Sequence, residues 1–467
     1  MDFINQIDTM NFEDPNFELD PNKWKAVKHL LRREWWTRVW VIQESLLAKK
    51  PKFYCGRKVA DREKFTLLKQ AETRYRVGYG PRLRAMQSSL AGPFGLILQD
   101  WDYYQDLIAK GRLNLHTAIT ITTENQCTEP VDKIFALLSM CTELDRQVIK
   151  VDYTLSARRL TIMVAKYELM QRGTNNPLYI LQLNQADKDP TLPSWVPDFT
   201  KCEDGENHFI FPESEDSIPY AAGADNAAWT LLGLARLSPH MVDSLSSITL
   251  TIEDEGSFET LVLHGLIVDV ITAAFQATPV GIYEGDDLEE DMKVKLDRRR
   301  AIINACKEWE AHVQHLPPDR DPYKNTCGRY HAFWRTLIAD RDLYWKGPSP
   351  PNSDLAGRFE AWIGRRGDKK GDEYEEYIRP FNHPAITRCM YRSFIVTEKG
   401  YLGLGSRNTV PFQDHICVLR GGRVPFILRK RRDDYWVFIG EAYVHGIMDG
   451  SFVRRAKKED LRKFRIR

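Results

Sequence analysis

Arg33-Glu34-Trp35-Trp36-Thr37-Arg38-Val39-Trp40-Val41-Ile42-Gln43-Glu44 is the stretch on which the reading of this chain turns. It sets three tryptophans among two arginines and two glutamates. As a helix it places Trp36, Trp40 and Glu44 at i, i+4 and i+8 on one face, an aromatic wall that ends in a carboxylate. Such a carboxylate is either a salt-bridged structural group or a site residue, and ordinary ion-pair networks favour the structural reading. Arg38, four residues after Glu34, offers that glutamate a partner at once.

Upstream, Asp20-Pro21 makes a helix start, with Asp as N-cap and Pro in the first helical position. Trp24, Val27, Leu31, Trp35, Val39, Ile42 and Leu46 follow at spacings of three and four, the stripe of an amphipathic helix that is either unbroken or bent near Glu34. Downstream, Lys52 to Cys55 before Gly56 predicts a short strand closed by a turn. Asp61 can cap a helix carrying Phe65, Leu68 and Tyr75, and residues 82–111 look mostly helical after the break at Gly78 to Pro81. Asp132 is expected to cap a short helix from Ile134 to Met140, and Thr154 or Ser156 one reaching Gln171. Leu192-Pro193-Ser194-Trp195-Val196-Pro197-Asp198 predicts a rigid extended segment, because each proline turns its predecessor away from helix.

The second half changes in composition. Residues 201–226 are rich in Asp, Glu, Gly, Asn and Pro, as a linker is. Strand-like runs stand at 229–234 and 260–271, a charged solvated face or loop at 284–299, and helical periodicity at 300–314 and 328–340. A Gly/Asp/Lys break at 364–373 precedes short strands at Ser393–Thr397, Ile416–Leu419, Val424–Arg429 and Trp436–Ile439, which predict a small antiparallel sheet or barrel. Gly421-Gly422 is a two-residue hairpin candidate.

Composition narrows the function classes. Lys plus Arg number 66 against 65 acidic residues, so no global field favours nucleic acid or a membrane surface. The apolar share of 43% suits a soluble globular chain. The eight cysteines are scattered without a CxxC pair, which points to buried reduced thiols in an intracellular, cytoplasmic protein. No apolar run approaches the ~20 residues of a spanning helix. Gly400-Tyr401-Leu402-Gly403-Leu404-Gly405 has glycines but no following helix to meet a phosphate, so a turn is the better reading. Glu441, His445 and Asp449 stand at four-residue steps, yet their strand-like, glycine-bearing surroundings argue for a sheet end rather than a metal site. No GxSxG elbow or cysteine nucleophile signature is present. The basic runs at 298–300, 429–432 and 454–467 suit a charged surface.

Trp36-Thr37-Arg38-Val39-Trp40-Val41-Ile42-Gln43-Glu44, followed by Phe53-Tyr54-Cys55-Gly56, resembles the closing block of the fungal heterokaryon incompatibility (HET) domain. Asp132-Lys133-Ile134-Phe135-Ala136-Leu137-Leu138, Val151-Asp152-Tyr153 and the segment around Trp195 resemble elements that follow that domain in the family. Gly440-Glu441-Ala442-Tyr443-Val444-His445-Gly446-Ile447-Met448 is similar to the family's C-terminal signature. The blocks that open a HET domain are not read ahead of Trp36, so the resemblance implies a domain represented by its last part.

The expected fold is therefore mixed α/β. A helix-rich N-terminal half holds the remnant of a TIR-like α/β domain (1–60) and a helical region (61–200). A linker (201–226) leads to a C-terminal α+β domain (227–467) with its β-rich end at 390–453. The resemblance implies nonself recognition and programmed cell death signalling through other proteins, HET-family or allelic partners among them, with no cofactor. Two alternatives stand beside it: a regulatory protein-interaction module, or a TIR-like enzyme cleaving NAD as substrate with Glu44 as its glutamate. The motif positions that the resemblance marks are Trp36, Arg38, Trp40, Gln43, Cys55, Gly56, Asp132, Trp195, Glu441, Tyr443, His445 and Gly446.

Overall fold

A computed structural model describes residues 1–7, 21–68, 100–170, 178–183, 188–200, 222, 251–255, 258–278, 280, 288–341, 354–367 and 369–467. The expected strand at 229–234, all of the linker at 201–226 except Ala222, and the helical stretch 82–99 lie outside those residues. The fold is mixed α/β, helix-rich in the N-terminal half and dominated by antiparallel strands at the C-terminal end. It divides into two compact units: Met1–Leu160 with Phe199–Gly205 and Tyr283–Lys293, and Thr161–Asp198 with Glu206–Ile282 and Val294–Arg467.

In the first unit the opening stripe does not run as one helix. Pro21–Leu31 is helical, Glu34–Thr37 is a 3-10 turn, and a second helix covers Val39–Leu47. The stripe breaks twice, at Arg33 (φ −67°, ψ 143°) beside Glu34 and at Arg38, extended at φ −76°, ψ 130°. The neighbours of Arg38 explain why the second break holds. Val39 N donates to Gln126 O at 2.9 Å, and Gln126 N donates to Thr37 O at 2.5 Å. A backbone bridge to a remote loop supplies the hydrogen bonds that a continuous helix would have made internally. Trp36 is thereby taken off the face that carries Trp40 and Glu44, and Glu34 and Arg38 form no ion pair among the described residues. Both expectations from helical spacing fail for the same reason.

The 3-10 turn aims Trp36 into an aromatic core. Trp36 is buried, its Nε1 donates to Leu30 O at 2.8 Å, and its ring meets Phe53 and Phe65 at 5.3 and 5.6 Å. Phe53 comes from β1 (Lys52–Cys55), which pairs antiparallel with β2 (Lys58–Asp61) around Gly56. Gly56 has φ +60°, a left-handed turn position that favours glycine. Residues 62–68 and Trp101–Ala109 are helical and add Phe65 and Trp101.

The second unit is built on a nine-stranded sheet among the described residues: β3 (Thr251–Glu255), β4 (Phe258–Phe275), β5 (Ser393–Thr397), β6 (Leu402–Gly405), β7 (Asp414–Leu419), β8 (Phe426–Lys430), β9 (Trp436–Glu441), β10 (Tyr443–Val444) and β11 (Leu461–Ile466). Five of these strands close on themselves. β4 pairs β7, β7 pairs β8, β8 pairs β9, β9 meets β11 in parallel at Trp436 and Ile466, and β11 returns antiparallel to β4. Closure removes the free edges that a small sheet would otherwise expose. The barrel interior holds Leu266, Val268, Ile416, Val418 and Ile427.

β4 is long enough to serve two pairings because it bends. Register shifts fall between Ile267 and Asp269 and between Ile271 and Ala273. Its last residues leave the barrel to pair with β5. Asp269, buried at the first bulge, accepts Lys399 N at 2.7 Å and so fixes the β5–β6 turn. Gly400 in that turn has φ +88°. At Gly403 a side chain would collide with the Tyr443 carbonyl in the β6–β10 pair. Only the start of the glycine-rich run is the turn that was expected; Leu402–Gly405 is strand β6, which passes β10 closely at Gly403.

Three details differ from expectation. Gly421 and Gly422 lie within a six-residue connection, 420–425, rather than forming a two-residue turn. The charged run and the periodic segment behind it are one helix, Leu288–Gln314. Gly371–Cys389 is helical despite Pro380 and Pro384, a segment whose prolines hide it from a reading by breakers. It packs Phe381 against Phe359 and Trp362 of the Leu355–Trp362 helix.

Candidate functional site

In the first unit, three separated motif positions meet at one carboxylate. Trp40 Nε1 donates to Asp132 Oδ2 at 3.0 Å, and the Tyr153 hydroxyl donates to Asp132 Oδ1 at 2.9 Å. Asp132 is the first residue of the Asp132–Leu138 helix and makes no cap bond there. It was expected as a cap, but its oxygens are taken by these two long-range donors. The Tyr153 hydroxyl is raised above its usual range, first by this bond. Next to Asp132, the buried Lys133 donates to the carbonyls of Thr122, Thr123 and Asn125. That loop leads to Gln126, which breaks the opening helix. Asp132→Ala is expected to cost the first unit about 1.5–3 kcal/mol, the scale of hydrogen bonds to a charged acceptor. Urea unfolding with Trp40→Phe as comparison measures it, and an unchanged midpoint would remove Asp132 from this role.

The other N-terminal motif positions are placed as follows. Arg38 is exposed and acts through its backbone, Gln43 is half-buried, and Cys55 is a half-buried free thiol in β1. Glu44 is exposed on the Val39–Leu47 helix and has no ion pair among the described residues.

In the second unit the Pro193–Asp198 segment is fastened to the barrel strands. The Ser194 hydroxyl donates to Arg467 O and accepts Phe438 N at 2.8 Å, while Trp195 Nε1 donates to Glu259 O at 3.1 Å. Sequence reasoning passed over Lys188. Its ammonium donates to the carbonyls of Pro193, Ser194 and Val196 at 2.9, 2.6 and 2.9 Å, and so holds the segment's fold. Burial pulls Lys188 down to about 7, with Asp198 acting in the opposite direction. No sequence signal marks a lysine whose partners are three carbonyls several residues ahead.

The C-terminal signature contributes a buried ion pair and a bonded line of side chains. Glu441, at the end of β9, pairs with Arg392 at 2.6 Å. Tyr443 Oη lies 2.8 Å from His445 Nδ1, and His445 Nε2 lies 3.6 Å from Cys327 Sγ. The backbone fixes the ring between them: His445 N donates to Leu402 O at 2.9 Å, and the buried Tyr323 hydroxyl donates to His445 O at 3.2 Å. Gly446 follows at φ +81°. Cys327 is the N-cap residue of the Gly328–Leu337 helix and is half-buried. Cys327 and His445 are 118 positions apart, so sequence gave no signal for their approach. Asp449 does not share a helix with His445 and Glu441, and no group of three or more His, Cys, Asp or Glu residues converges as metal ligands do among the described residues.

Burial pushes the His445 imidazole down to about 4, and the Arg335 cation adds to this. Burial also raises the Cys327 thiol, against a bond from Thr326. The pair therefore rests as a thiol and a neutral imidazole near neutral pH. Between pH 6.5 and about 4 the unfolded chain binds a proton at His445 that the folded chain does not. Stability contributed here is present above 6.5 and lost as pH falls toward 4. The groups facing the ring are Cys327, Tyr443, Tyr323 and Arg335. The difference in urea midpoint between the wild-type chain and His445→Gln is expected to shrink over that window. A pH-independent difference would show that His445 does not titrate this way.

Comparison with known proteins bears on this unit directly. A family profile described as the Het-6 beta-barrel domain matches residues 371–463. The chain is also 24% identical over 498 aligned positions to Heterokaryon incompatibility protein 6, OR allele, of Neurospora crassa, covering 94% of this chain and 68% of that protein. Over nearly its whole length the chain is thus similar to a heterokaryon incompatibility protein, and residues 371–463 match that family's barrel domain. No solved structure matches it. The match to the family's barrel runs from the Gly371–Cys389 helix into β11. β4, the strand that closes the ring, lies outside it and ends at Phe275, well upstream. Among the described residues no helix is long and apolar enough to cross a membrane.

Proposed function

We propose that this chain acts in fungal nonself recognition, as a cytoplasmic component of an incompatibility response that ends in programmed cell death. It would act by contact with other proteins, HET-family or allelic partners among them. The observation that carries this reading is the likeness along 94% of the chain to a protein named for heterokaryon incompatibility. The fold is consistent with it. Trp40, Asp132 and Tyr153 in one unit and Ser194, Trp195 and Glu441 in the other bond to the protein itself, as residues that hold a scaffold do.

The reading is tested by expressing the full chain in a fungal strain lacking it and fusing that strain with partners of differing genotype. Slow, dye-permeable fusion cells with at least one partner are the expected result. Vigorous heterokaryons with every partner, despite confirmed expression, would defeat it. The NAD-cleaving alternative gains nothing from Glu44, whose carboxylate is exposed on the Val39–Leu47 helix and makes no ion pair among the described residues. Nicotinamide release from NAD is expected to be the same for the wild-type chain and Glu44→Gln, and a Glu44-dependent release would revive that alternative.

A further inference from the structure

The line from Cys327 through His445 to Tyr443 has the order of a nucleophile, a base and a group that orients the base. We propose that Cys327 is a nucleophilic thiol, with His445 as its base and Tyr443 as a positioning residue, that accepts an acyl group from an ester or thioester donor. The single S–H has two acceptors in reach, His445 Nε2 at 3.6 Å and the Gly328 carbonyl at 3.5 Å. Turned toward Nε2, it makes that nitrogen an acceptor. Nδ1 then carries the ring proton and donates it to Tyr443 Oη, which fixes the tautomer. The backbone bonds at Leu402 and Tyr323 hold the imidazole in place without occupying either ring nitrogen. Cys327 also stands at the N-cap position of a ten-residue helix, without a side-chain cap bond, and the positive N-terminal end of that helix favours negative charge developing on an attacked carbonyl. The Arg335 cation, ion-paired with Asp340 at 2.5 Å, acts to lower the Cys327 thiol, and the Asp340 carboxylate acts against it.

The step balances without a redox partner. The Sγ–C bond forms as the thiol proton passes to His445 Nε2, and the bond from the acyl carbon to the leaving oxygen or sulfur breaks. The leaving group takes the proton from Nε2. Water then attacks the thioester and gives a proton to His445, and the released thiolate recovers it. Among the described residues no second thiol bonds to Cys327, so disulfide exchange lacks a resolving partner there.

The test uses the full chain with p-nitrophenyl acetate, mapping acetyl groups by mass spectrometry. Cys55 and Cys127, also half-buried, are internal references. Cys327 is expected to acetylate about tenfold faster than either, with His445→Gln bringing it to their level. Tyr443→Phe should move the pH profile of the rate while Cys327 stays reactive. Cys327→Ser should abolish the p-nitrophenol burst with the melting curve unchanged. Equal rates at the three thiols, or a burst surviving in Cys327→Ser, would overturn the proposal. Should His445→Gln fail to fold, the comparison of thiols in the wild-type chain and the Cys327→Ser burst still decide it.

Discussion

Trp195→Ala is expected to lower the stability of the second unit by about 3–5 kcal/mol, among the largest effects of a single truncation in this chain. The indole is fully buried, in a segment whose two prolines bar it from helix. Removing it leaves a cavity and strips the Glu259 carbonyl of its Nε1 donor, held at 3.1 Å. Trp195→Phe separates the two effects, because it keeps most of the volume and loses only the bond. It should cost about 1–2 kcal/mol. Both values come from urea unfolding followed by a probe confined to the barrel. If the alanine variant fell within about 1 kcal/mol of wild type, the segment would be a strap on the barrel rather than part of its core.

Glu441→Gln is the second large change, expected to cost about 3 kcal/mol. Glu441 is 4% exposed and its partner Arg392 13% at the side chain, so the neutral amide leaves a guanidinium in a poorly hydrated site. A buried pair is weak evidence that its charges stabilise the fold, since two well-packed apolar groups serve as well. The double variant Glu441→Leu with Arg392→Met should therefore recover most of the loss. A full double-mutant cycle checks this, and a double variant no better than the worse single change would show that the pair itself is required.

Much of the barrel was legible because its strands are short, apolar and divided by turn residues. Ser393–Thr397 was read with its bounds, and the runs at β7, β8 and β9 were placed within two or three residues. The antiparallel order of neighbours in sequence followed from the turns between them. Closure did not, because β4 reaches the ring from far upstream and β11 joins β9 in parallel. The Gly371–Cys389 helix was hidden by its prolines, which tertiary packing of Phe381 outweighs.

The candidate site divides in the same way. The motif positions Trp40, Asp132, Glu441, Tyr443 and His445 were visible one at a time, as residue types in ordered blocks. Their partners were not visible. Asp132 looked like a cap because local spacing sees only the helix it begins, whereas its oxygens answer donors 92 and 21 positions away. Lys188 and Cys327 carried no signal at all.

The twelve residues from Arg33 to Glu44 show where the division falls. Its apolar stripe misplaced Trp35, which is exposed, but by itself the sequence determined that the segment would be mostly helical and which family's block it resembles. These follow from residue chemistry and near-neighbour spacing, which are local. Only the tertiary structure decided that the helix breaks at Arg38, that Trp36 turns into one aromatic core while Trp40 reaches Asp132, and that Glu44 faces solvent. The physical reason is that Gln126, 88 positions on, satisfies the backbone groups at Thr37 and Val39, and no local rule records a hydrogen bond supplied from so far along the chain.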